Sequence, residues 1–75
     1  MKKIKLFSVS HEDPSYVTFI QKHPELDQYE DEKVLEAMVN EWIAEHPQCD
    51  VHEFLGPTTT ATRIFLYIVY ESKNN

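Results

Sequence analysis

Ile64-Phe65-Leu66-Tyr67-Ile68-Val69-Tyr70 is an unbroken run of apolar and aromatic residues. A run this short, rich in β-branched and aromatic side chains, reads as a strand rather than a helix. Neighbouring side chains of a strand point to opposite faces, so both faces of this one are apolar. Antiparallel strands usually leave one face to water. A strand that is apolar on both sides therefore asks for a central place in its sheet, with cover over each face.

Upstream, Gly56-Pro57 punctuates the chain, and Thr58-Thr59-Thr60 forms either a loop or the twisted top of a hairpin. Cys49-Asp50-Val51-His52-Glu53-Phe54-Leu55 alternates, with Cys49 and Val51 on one side and Asp50 and His52 on the other. This strand and the final one are expected to pair as a hairpin. Before it, Leu35, Met38, Val39, Trp42 and Ile43 recur at helical spacing. They predict an amphipathic helix from about residue 28 to residue 45. Asp27 followed three residues later by Glu30 fits a capping box, and acids fill the first turn. His46-Pro47 closes the helix.

Asp13-Pro14 marks the start of a shorter helix, with Asp13 as N-cap, Tyr16, Phe19 and Ile20 on one face, and His23-Pro24 as its stop. Tyr16-Val17-Thr18-Phe19-Ile20 also contains strand formers, so its preference is mixed. Lys3-Ile4-Lys5-Leu6-Phe7-Ser8-Val9 reads as a first strand. The order is strand, short helix, main helix, strand, strand. It predicts a small α+β fold whose three-stranded antiparallel or mixed sheet is covered by the main helix. The first strand pairs with either of the other two. Phe65, Tyr67 and Val69, with Phe7 and Phe54, are expected on the face away from the main helix. The short helix or a second copy of the chain would cover them.

Seventy-five residues form one domain at most, here residues 1–71, followed by a polar tail at 72–75 expected to be disordered. A body this small is marginally stable alone and favours a partner chain. Cys49 is the only cysteine, so no intrachain disulfide forms, and a reducing cytoplasm is the natural setting. The lysine-rich start is followed by an apolar run too short for a secretory leader, and no stretch has the length of a membrane span. The net charge is −6. From Glu12 to Glu53 there are twelve Asp/Glu against only Lys22 and Lys33. Such a body repels phosphate backbones and suits a protein partner with a basic surface.

Ile4-Lys5-Leu6-Phe7, His11-Glu12, Val39-Asn40-Glu41-Trp42-Ile43, Asp50-Val51 and Ile68-Val69-Tyr70 occur in an order that resembles a small family of sporulation-associated proteins of Gram-positive bacteria. The resemblance implies the fold and a cytoplasmic location. It implies no activity and no functional residues, and the stretch from about Asp13 to Glu30 departs from the family pattern.

Chemistry-bearing clusters are few. His46, Cys49 and His52 are zinc-type ligands spaced three apart, with Glu53 or His11 as a fourth. Alternation along a strand, however, sends His52 away from Cys49. The commoner reading is a histidine closing a helix, a small core cysteine and a solvent-facing histidine. His11-Glu12-Asp13 at a strand end could hold a general base but is better read as a turn with a helix cap. A single glycine excludes a phosphate-cradling loop, and no nucleophile has a recognisable frame. The expectation is a non-enzymatic, regulatory interaction protein without a cofactor, forming a homodimer. It binds through an acidic helix face (Glu36, Glu41, Glu45) or an aromatic sheet face (Phe65, Tyr67). The alternatives are a phage or mobile-element anti-defence inhibitor, acting as a nucleic-acid mimic or sequestering a small ligand, and a small zinc-binding protein.

Overall fold

The computed structural model describes residues 1–73. Strand β1 (Lys3–Val9) leads into helix α1 (Pro14–Lys22), a 3-10 turn (Pro24–Gln28) and helix α2 (Asp31–Glu45). Strands β2 (Cys49–Thr59) and β3 (Ile64–Ser72) follow. The sheet is wholly antiparallel in the order β1-β3-β2, which settles the pairing of the first strand. The strand that is apolar on both sides takes the centre, and the fold is the small α+β arrangement that the element order implies.

Directly opposed residues of antiparallel strands share a face. Phe7 opposes Leu66, Val9 opposes Ile64, and Ile68 lies between Lys5 and Phe54. This row lies under the helices. Ile64, Ile68, Phe7 and Val9 are buried with Val34, Leu35, Met38 and Val39 of α2 and Tyr16 and Phe19 of α1. Phe7 and Phe54 therefore belong to the helix side, which corrects the expectation that they join Phe65 and Tyr67. The register of each ladder sets this parity, and no single strand's pattern reveals it. Helix α1 contributes to the same core as α2, so it does not cover the second sheet face.

Asp13 caps α1 as expected, its carboxylate accepting the Ser15 amide at 2.9 Å, with Pro14 at the first helical position. The main helix begins later than expected. Tyr29 and Glu30 are extended, and α2 starts at Asp31 with Glu30 at the N-cap and no side-chain cap bond. Asp27 instead lies in the 3-10 turn that Pro24 opens. There the Leu26 and Tyr29 amides bond back to His23 and Leu26, and Leu26 packs against the core. A half-buried leucine and these local bonds outweigh the capping box.

Strand β2 runs through the Gly56-Pro57 punctuation. Two register shifts absorb the irregularity, one between Val51 and Glu53 and one between Leu55 and Thr58. Gly56 sits at φ +118°, and a Cβ there would lie 3.2 Å from the Thr58 nitrogen and 3.3 Å from the Phe65 carbonyl oxygen. Only glycine fits this bulge. Past Tyr70 the ladder continues: Ser72 pairs with Cys49, and the Lys73 amide donates to the Gln48 carbonyl at 2.7 Å. Ser72 and Lys73 are thus held by backbone bonds rather than forming the start of a free tail. The rest of the expected tail, 74–75, lies outside the described residues.

Candidate interaction surfaces

The sheet face turned away from the helices carries Leu6, Tyr67 and Leu55 in one row, with Ile4 and Val69 on one side and Phe65 on the other. Ile4 is 67% exposed, Leu6 44%, Leu55 43% and Tyr67 38%. Phe65 and Val69 are half-buried, and the Phe65 and Tyr67 rings meet edge to face at 5.9 Å. At one end Glu71 accepts from the chain's amino group at 3.3 Å and pairs with His52 at 2.9 Å. Hydrogen bonds from the amino terminus, then from His52, hold the Glu71 carboxyl below the usual range. The centre of the face is apolar, and its acids lie toward one end, Glu53 opposite Val69 and Glu71 beyond it.

Of the expected aromatic face, Phe65 and Tyr67 are present. Ile4, Leu6 and Leu55 complete it. Their signal was the alternation of β1 and β2, which becomes usable only once the register is known.

A second surface is a groove of about 590 Å³ beside β1, one of the sheet's two edge strands. Its walls are β1, α1 and α2, and its lining includes Phe7, Phe19, Met38 and Trp42. Trp42 lies edge-on to Phe7 at 6.1 Å and to Tyr70 at 5.0 Å, which fixes the indole between α2 and the sheet. Glu41 and Glu45 lie on the same helix wall. Glu41 accepts from Lys22 at 3.2 Å and bonds His23. Burial raises the Glu41 pKa, but these bonds outweigh it, and the carboxyl stays below its ordinary range.

Glu36 is elsewhere. It borders a smaller hollow of about 180 Å³ between α2 and β2, with Phe54, Pro57 and Leu66. At 3.6 residues per turn, Glu36 and Glu45 lie roughly 180° apart around the helix. The single acidic helix face expected from Glu36, Glu41 and Glu45 is therefore split between two flanks of α2, because residues nine apart fall on opposite sides of a helix.

His46, Cys49 and His52 are each engaged separately. The His46 ring stacks on Trp42 at 4.3 Å, with its Nδ1 2.7 Å from the Trp42 carbonyl oxygen. The Cys49 amide donates to the His46 carbonyl, and the half-buried side chain stands in the ladder opposite Ser72. His52 lies at the register shift and holds Glu71. Among the described residues no group of three or more His, Cys, Asp or Glu side chains is placed to hold a metal ion. Asp13, from the other cluster, is occupied: one carboxylate oxygen accepts the Ser8 hydroxyl and the other the Ser15 amide. His11 stands edge-on to Tyr16 at 5.4 Å. Among the described residues no helix is long and apolar enough to cross a membrane.

Compared with known protein families, curated proteins and solved structures, the chain matches none.

Proposed function

We propose that this is a small acidic, non-enzymatic interaction protein with a regulatory role, and that its principal contact surface is the bare sheet face. The observation that supports this reading is the row Leu6, Tyr67, Leu55, exposed on a sheet whose other face is packed under two helices. Exposed apolar area gathered on one face, with acids toward one end, is the composition of a protein contact surface. A second copy of the chain is the occupant this reading favours. Two such faces stack about ten ångströms apart in sheet-on-sheet packing, and a two-fold axis lets one patch complement itself. A small domain also gains stability by burying a face of this kind.

The net charge of −6 favours partners with a basic rim and disfavours nucleic acid. A cytoplasmic setting, implied by the resemblance to the sporulation-associated proteins, belongs to the same proposal.

Sedimentation equilibrium of the full chain and of Tyr67→Lys tests it. The expected result is a dimer at micromolar concentration that becomes a monomer in the variant with unchanged circular dichroism. A wild-type chain that stays monomeric at millimolar concentration would overturn the homodimer.

A further inference from the structure

We propose that the groove beside β1 receives an extended peptide segment of a partner protein. The segment adds to the sheet as a fourth strand, sets an apolar side chain over Phe7, Phe19 and Trp42, and brings acidic residues to Lys3 and Lys5.

Three observations carry this. First, β1 is an edge strand: it pairs with β3 on one side, and among the described residues no strand lies on the other. Its outward amides and carbonyls are a template for main-chain pairing. Second, the groove runs along this same edge, lined by Lys5, Leu6, Phe7 and Ser8 of β1 and by Thr18 and Lys22 of α1. An added strand would point alternate side chains into it, against apolar rings and Met38.

Third, the charge is local and opposite to that of the whole chain. Lys3 and Lys5 belong to this strand and Lys2 directly precedes it, so three of the seven Lys and Arg residues gather here. The acids nearby are mostly committed: Asp13 to Ser8 and Ser15, and Glu41 to Lys22 and His23. Glu45 alone stands against the strand's lysines, and among the described residues Lys3 and Lys5 have no ion pair. Opposite charges across a strand pair are favourable and like charges are not. A second copy presenting its own β1 would set one lysine-rich strand beside another, so an acidic extended segment is the better occupant.

This inference rests on the reading of the chain as a protein-binding module but uses a different surface from the sheet face. The probe is a library of random seven-residue peptides selected against the full immobilised chain. The enriched peptide is then titrated with wild type, Lys5→Glu, Thr18→Trp and Tyr67→Lys. The expected consensus is an apolar residue bordered by Asp or Glu. Affinity should fall about ten-fold or more in Lys5→Glu and Thr18→Trp. It should be unchanged in Tyr67→Lys, which removes only the sheet-face contact. Bound peptide should slow hydrogen exchange at residues 3–9. Absence of enrichment, a basic consensus, or protection on β2 would each overturn the proposal. So would concentration-dependent protection of β1 without peptide, which would assign the edge to a second copy.

Discussion

The Ser8 hydroxyl donates to the Asp13 carboxylate across the turn that joins β1 to α1, while the second oxygen of the same carboxylate takes the Ser15 amide. Ser8 is buried, so its hydroxyl depends on this partner. One carboxylate thus ties the end of the edge strand to the start of the helix that walls the groove. Asp13→Ala should cost about 0.5–2 kcal/mol for the lost cap, with about 1–3 kcal/mol more for the stranded serine. The Ser8 bond first, and the Ser15 amide with it, hold the folded-state pKa of Asp13 below its ordinary value of 3.8. A lowered carboxylate pKa means stabilisation that is complete above the unfolded value and drains away as pH falls through the lower folded one. In urea unfolding, the gap between wild type and Asp13→Asn should therefore be full at neutral pH and shrink below about pH 4. A gap that is the same at pH 7 and at strongly acidic pH would remove the charge from this account.

Gly56 faces the backbone of its own strand and of β3. With φ at +118° and the Thr58 nitrogen and Phe65 oxygen 3.2 and 3.3 Å from any Cβ, alanine has neither a comfortable backbone angle nor free space. Gly56→Ala should destabilise the chain by about 1–3 kcal/mol. The loss should appear as faster hydrogen exchange in β2 near Leu55 and Thr58, where the register shifts. An unchanged unfolding midpoint would show that the bulge tolerates rearrangement.

Ile68 and Ile4 separate the two faces of the sheet. Ile68 is fully buried at the centre of β3, whereas Ile4 is 67% exposed on β1. Ile68→Ala should cost about 2–5 kcal/mol, the range for removing a core isoleucine. Ile4→Ala, measured where the chain is monomeric, should stay within about 0.5 kcal/mol. Equal losses at the two positions would mean that the outer face is covered within one chain.

Glu41 links α2 to the end of α1 through Lys22 at 3.2 Å and through His23. Lys22 is largely exposed, so solvent screens the pair. Glu41→Gln should lower stability by less than about 1 kcal/mol at neutral pH, and 1 M salt should shrink the difference further. Because the folded-state pKa of Glu41 lies below its ordinary value of 4.5, the contribution is present above that value and lost as pH falls below it. Chemical denaturation of both proteins at two salt concentrations measures this. A difference that grows with salt would point to packing instead.

The element types were legible because each rests on local chemistry. Asp13-Pro14 supplies a helix cap and a preset first helical angle, His46-Pro47 stops a helix, and a run apolar on both sides is at home in the middle of a sheet. Asp27 shows the limit of local reading. Its capping box was a sound local signal, yet Asp27 lies in a 3-10 turn that packs Leu26 against the core, and the helix starts at Asp31.

What only the tertiary structure decided is which residues meet. Pairing β1 with β3 in one register put Phe7 under the helices and Leu6 beside Tyr67, and a slip of one residue would have reversed both. The same packing turned the Glu45 flank of α2 toward the β1 groove and the Glu36 flank toward β2, and it held His52 against Glu71. It also placed the free edge of β1 beside a groove. A sequence determines the two faces of each strand and helix by periodicity alone. Which face lies against which neighbour depends on summed long-range contacts, and no local pattern encodes that sum.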